Sequence, residues 1–251
     1  MAAPLESTLR PFIVTLWPGA AEAVLVESSA CSGARRRPTT AADPTKPKQD
    51  RGSRAGRAST RLRRYVLHNR CRYLITFTYR ESQWDPLSAS RNFARLVRRL
   101  RHGIGPFPWI RVIELHPNGH GLHIHMLTDR AVDPALLSTA WEHGAVESSP
   151  PVELSTVGLM RATRYLSKSF ADFAAYAGRG HHLYETAQGF QPQAVHFVAS
   201  SRDEALERLE LIMGGPPCME RNLSDYAPGT NGRFLAWRPT RRSLEARPRS
   251  R

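Results

Sequence analysis

The segment WIRVIELHPNGHGLHIHMLT, Trp109 to Thr128, constrains this chain more than any other. Two runs rich in β-branched and apolar residues flank HPNG, whose Pro, Asn and Gly are turn formers. The segment reads as an antiparallel hairpin with strands over Trp109–Leu115 and 121–128. Side chains alternate across a strand, so His123 and His125 share one face, as do Ile110, Val112 and Glu114 on the partner. Directly opposed residues of an antiparallel pair point the same way. Glu114 therefore joins the two imidazoles if it lies opposite His123 or His125, and points away if it lies opposite Ile124. His116 and His120 fall in the turn and need not join them. With Glu114 at the right parity, one sheet face holds two imidazoles and a carboxylate, a three-donor set for a divalent metal with open positions. At the wrong parity these are ordinary strand histidines beside a surface glutamate.

Other HxH metal patterns fit less well. A cupin-like site needs Glu three or four residues after the second His, where this chain has Thr128 and Asp129. A metallo-β-lactamase-like HxHxDH needs Asp and His just beyond Met126, where Leu127 and Thr128 stand.

Around the hairpin the pattern alternates. RYLITFTY (72–79) and AVHFVAS (194–200) read as strands, and PVELSTV (151–157) as a weaker one. DPLSASRNFARLVRRLRH reads as a helix, with Pro86 in its first turn and Phe93, Leu96, Val97 and Leu100 at helical spacing. DPALLSTAWEHG, GLMRATRYLSKSFADFAAY and RDEALERLELIMG read as three more. A hairpin at the centre argues against an all-parallel sheet. The expected class is α+β, with a mainly antiparallel sheet, the HxH hairpin central and helices packed on it.

The formal net charge of +14 and pI of about 10.7 point to a polyanion, with nucleic acid ahead of an anionic membrane surface. Residues from about Ser28 to Thr60 are rich in Arg, Pro, Ala, Ser and Thr and poor in large apolar side chains, as in a disordered basic arm. The expected organisation is a largely disordered arm over 1–60, one folded domain over 61–237, and a basic tail over 238–251. Cys31, Cys71 and Cys218 show no zinc or disulfide spacing, which suits a reducing cytoplasm. The N-terminus lacks the basic start of a signal peptide, and Pro18-Gly19 interrupts its apolar run. No run approaches the ~18 apolar residues of a membrane span.

In RATRYLSKSFADF, Tyr165 and Lys168 are three apart, hence on one helix face beside an apolar stripe of Leu159, Ala162, Leu166, Phe170 and Phe173. Arg161 and Asp172 extend the polar face. Lys168 is the only lysine outside the N-terminal arm, in a chain whose other bases are almost all Arg. On its own the pair also reads as an amphipathic Tyr on a core helix beside a solvated Lys.

Taken in order, TFTY, ELHPNGHGLHIHML and YLSK resemble the three motifs of HUH endonucleases, and more narrowly those of rolling-circle replication initiators of phages, plasmids and small single-stranded DNA viruses. The likeness runs from about Arg61 to Phe173. It implies a ferredoxin-like variant of the α+β fold. It also implies that Glu114, His123 and His125 hold Mg²⁺ or Mn²⁺, and that Tyr165 attacks a phosphate to leave a 5′-phosphotyrosine and a free 3′-OH. Lys168 would then stabilise the phenolate or the phosphate charge. Thr76, Thr78, Arg161 and Arg164 are candidate DNA contacts. The implied substrate is single-stranded or hairpin DNA at a replication origin. Some initiators carry two tyrosines one helical turn apart. Here Tyr176, eleven residues on, would lie roughly 16 Å from Tyr165 along a continuous helix, so a single-tyrosine enzyme is expected. No GxxxxGK[ST] loop is present, so a host helicase and polymerase are expected partners. A transposase or relaxase of the same chemistry, or a non-catalytic DNA-binding protein, are the alternatives.

Overall fold

The computed structural model describes residues 10–28, 54–116, 119–178, 180–225 and 231–238. In chain order the elements are β1 (Phe12–Trp17), β2 (Glu22–Glu27), α1 (Arg54–Asn69), β3 (Tyr73–Tyr79), α2 (Pro86–Ile104), β4 (Trp109–Leu115), β5 (Leu122–Thr128) and α3 (Pro134–Ala140). Then come β6 (Gly144–Ser148), α4 (Thr156–Ser167), α5 (Phe170–Ala177), β7 (Glu185–Thr186), β8 (Val195–Ala199), α6 (Arg202–Met213), β9 (Met219–Asn222) and β10 (Gly232–Ala236). The class is α+β, with two antiparallel five-stranded sheets.

The chain divides into two units, one within Met1–Gly52 and Gln193–Arg238, the other within Ser53–Pro192. This corrects the expected organisation. Residues 12–27 are a β-hairpin rather than part of an arm, and α1 begins at Arg54. The hairpin reads poorly in sequence because Pro18–Ala20 forms a 3₁₀ turn, with Ala21 at φ 52°, in place of an Asn-Gly or Asp-Gly turn. Residues 29–53 and 239–251, the rest of the expected arm and tail, lie outside the described residues.

In the first unit the strand order is β8-β1-β2-β10-β9. One sheet face supplies Val14, Leu16, Ala23, Leu25, Ala199 and Leu235 to a core closed by Ala205 and Leu209 of α6. Ser201 caps α6 by accepting from the Glu204 amide at 3.1 Å, while the Glu204 carboxylate reaches back to the Ser200 amide. Gly214 ends the helix at φ 78°.

In the second unit the order is β6-β3-β5-β4-β7, so the HxH hairpin is central. Asp85 caps α2 by accepting from the Leu87 and Ser88 amides, with Pro86 opening the first turn as expected. Phe93, Leu96, Val97 and Leu100 are buried, and Phe93 lies edge-on to Trp109 of the sheet. Trp141, just past α3, packs on Phe77 and Tyr79 of the same sheet face. That face therefore belongs to α2 and α3. The opposite face holds Thr76, Thr78, Glu114, His123 and His125. The strand expected over 151–157 is instead β6, further upstream, because Ser155 is committed to capping α4.

Arg111 on β4 is 2% exposed on the α2 side, held by Glu185 of β7 at 2.6 Å and lying over the Phe93 ring. Removing one partner of a buried pair strands the other charge. Glu185→Gln is expected to lower stability by about 3 kcal/mol, the low end for such a loss because Glu185 itself reaches solvent. Urea unfolding of the variant checks this, and a loss below about 1 kcal/mol would mean Arg111 is satisfied otherwise.

Candidate functional site

Glu114 pairs directly with His123 across β4 and β5, so its parity brings it to the histidine face. Its Oε2 lies 3.0 Å from Nε2 of His125, the diagonal neighbour. On the neighbouring strand Thr76 opposes His125, and its Oγ1 lies 3.0 Å from His125 Nδ1. In the neutral ring, a proton on Nε2 donates to Glu114 and the Thr76 hydroxyl donates to Nδ1. A hydroxyl can also accept from Nδ1–H, so Thr76 holds the ring in either tautomer. Thr76 was expected at DNA, and its partner is instead this imidazole. Thr78 opposes His123 on the same face.

The turn histidines do join the site. His116 stacks on His123 with ring centroids 4.2 Å apart and planes 6° from parallel, and His120 stands edge-on to His116. The signal was present in the sequence: 112, 114 and 116 share a parity, and the pairing extends past the strand end, with the His116 amide donating to Gly121 O. Gly121 lies at φ 83°, and a Cβ there would meet Gln83 O at 2.5 Å. Only glycine lets the segment before α2 pack this closely on the hairpin, where the Leu122 amide donates to Gln83 O.

His123 Nε2 is buried and has no hydrogen-bond partner. Burial, with His116 and His125 beside it, pushes its pKa down to about 4, so the ring is neutral near pH 7 with a lone pair to offer. For Glu114, burial pushes the carboxyl up. The hydrogen bond from His125 and the charges of His125 and Lys168 outweigh this and leave it below its ordinary value. Among the described residues, no three His, Cys, Asp or Glu side chains stand as a ready group around an ion. Glu114 and His125 face each other, and the His123 and His125 ring centroids are 6.4 Å apart.

Ser155 caps α4 by accepting from the Gly158 amide at 3.1 Å, and Leu159, Ala162 and Leu166 bury its inner side. Tyr165 emerges at the edge of that stripe, 43% exposed, its ring edge-on to His125 at 5.7 Å. Lys168 Nζ lies 4.4 Å over the Tyr165 ring and 3.4 Å from Glu114 Oε1. It thus bridges the phenol and the carboxylate. Arg161 stands one turn before Tyr165 and Arg164 directly beside it in sequence, both exposed. The expected single helix breaks at Lys168–Ser169 into α4 and α5. Serines on both sides of Lys168 compete with the helical backbone. The expected 16 Å separation of Tyr176 from Tyr165 assumed an unbroken helix and does not apply. The Tyr176 hydroxyl donates to Trp84 O.

A central HxH hairpin, a carboxylate of matching parity and a facing YxxK helix, in a basic α+β chain, are consistent with a rolling-circle replication initiator of the HUH type. Residues 72–173 match the family model Replication-associated protein ORF2. That segment runs from the start of β3 to Phe173 and carries all of the candidate site residues, and the role it brings is that of a replication initiator binding DNA at an origin. No curated protein and no solved structure gives a match. Among the described residues no helix is long and apolar enough to cross a membrane.

Proposed function

We propose that this protein nicks and rejoins one DNA strand at a rolling-circle origin through a single covalent tyrosine, in the cytoplasm, with a host helicase and polymerase extending the strand. The observation that carries the reading is the convergence of Tyr165, Lys168, Glu114 and His125 on one sheet face.

His123, His125 and Glu114 suit Mg²⁺ or Mn²⁺: one imidazole nitrogen is buried without a partner, and a carboxylate below its ordinary pKa lies on the same face. A divalent ion there supplies Lewis-acid charge to the scissile phosphate. Binding requires His125 to give up the Nε2 proton, which Thr76 allows by accepting from Nδ1 instead. The Tyr165 oxygen forms a bond to phosphorus as the bond from phosphorus to the 3′-oxygen breaks. The phenolic proton leaves Tyr165, and the 3′-oxygen departs as a hydroxyl. A free phenol, with a pKa near 10, is mostly protonated at neutral pH. The Lys168 ammonium over the ring favours the phenolate. Reversal by a 3′-OH rejoins the strand and frees Tyr165. Thr78, Arg161 and Arg164 are proposed as contacts to the DNA around the phosphate.

The test is an adduct assay. Protein, Mn²⁺ and single-stranded and hairpin oligonucleotides from the gene's own replicon are incubated and run on a denaturing gel. A DNA–protein band abolished by a chelator supports the proposal. Its absence on those oligonucleotides favours a non-catalytic DNA-binding protein.

A further inference from the structure

Away from the histidine face, α1 and the strand β7 border a cleft of about 430 Å³ within the second unit. Arg54, Arg57 and Arg61 line it from α1, three and four residues apart and therefore along one side of the helix, and all three are exposed. His182 and Tyr184 line it from the segment leading into β7. Its carboxylate, Glu185, is already committed inward to the buried Arg111 at 2.6 Å, so its charge does not offset the arginines. Tyr184 stacks on Phe170 with planes 13° from parallel, which holds its ring in place. The space continues into a second hollow of about 600 Å³ that shares His182 and Tyr184 and adds Arg101, Trp109 and Phe190. Cations along one wall and rings along the floor are what a single nucleic-acid strand requires, phosphates on one side and unstacked bases on the other. A flat anionic membrane surface cannot reach into a cleft.

We propose that this cleft is a second DNA-binding site, one that holds a single strand by its phosphates on Arg54, Arg57 and Arg61 while a base stacks on Tyr184. It rests on DNA being the substrate of the Tyr165 site. Because α1 packs on α4, the helix that carries Tyr165, the cleft lies beside the proposed nicking site. Its role is to retain DNA flanking the nick.

Binding is measured by fluorescence anisotropy with a labelled oligodeoxyadenylate, in full-length protein carrying Tyr165→Phe so that no cleavage intervenes. R54Q/R57Q/R61Q is expected to bind about 10–100-fold more weakly, with the slope of log affinity against log salt smaller by about 2. The triple Lys variant at the same positions should restore most of both. A control that removes the same charge from the exposed side of α2, R91Q/R95Q/R98Q, should change affinity far less. Equal losses in cleft and control variants, an unchanged slope, or equal retention of a duplex of the same length would overturn the proposal. With Tyr165 intact, adduct formation at saturating DNA should be unaffected by the triple Gln change. If wild type forms no adduct yet the cleft variant loses affinity, the nicking proposal fails and the cleft stands. If the adduct forms and the cleft variant binds normally, the cleft fails and nicking stands.

Discussion

Tyr165→Phe eliminates the covalent DNA–protein adduct, with the rate of strand cleavage falling by on the order of 10³-fold or more. The change removes one oxygen from a side chain that is nearly half exposed and makes no hydrogen bond that holds α4, so the fold should be untouched. The variant should melt within about 2 °C of the parent and bind the oligonucleotide as tightly. An adduct that survives would mean another nucleophile. Tyr176 is the first to test, because the break between α4 and α5 removes the argument that kept it far away. Its hydroxyl is engaged with Trp84 O, which weighs against it.

His123→Ala should weaken Mn²⁺ binding by about 100-fold or more, since even groups one hydrogen bond removed from a metal typically cost 10–100-fold. Thr76→Val, which keeps shape but loses the hydroxyl partner of His125, should fall within that smaller range. Isothermal titration with Mn²⁺ gives both numbers without any need for the DNA sequence. Equal affinities in parent and His123→Ala protein would remove His123 from the ligand set and leave its buried nitrogen unexplained. His116→Ala separates support from ligation. It removes the ring stacked on His123, so a modest loss marks His116 as a brace for that imidazole.

The histidine face was legible in sequence because it depends on strand parity alone. Once Trp109–Leu115 and Leu122–Thr128 pair around a tight turn, the period of two puts His123, His125 and Glu114 together or apart, and only the register remains open. His116 was legible by the same parity, but the turn residues around it suggested that the pairing had ended. The position of Lys168 was legible as a three-residue spacing. Its placement over the Tyr165 ring, however, comes from the end of α4, where a helix turn tightens and the Lys168 amide bonds to Tyr165 O. The β1–β2 hairpin was not legible. Its partners β8 and β10 lie some 170 or more residues further along the chain, and no local window reports such a pairing.

By itself, the sequence determined the antiparallel hairpin, the amphipathic helices, the basic charge and the order of the three motifs. Each of these follows from side-chain periodicity and charge within a short window. The tertiary structure alone decided that His125 bonds Glu114 rather than standing beside it, and that Thr76 serves that ring. It also decided that α4 brings Tyr165 to the face, and that Arg54, Arg57 and Arg61 share a cleft with Tyr184. These depend on which sheet face each helix covers, and long-range packing, not local pattern, sets that choice.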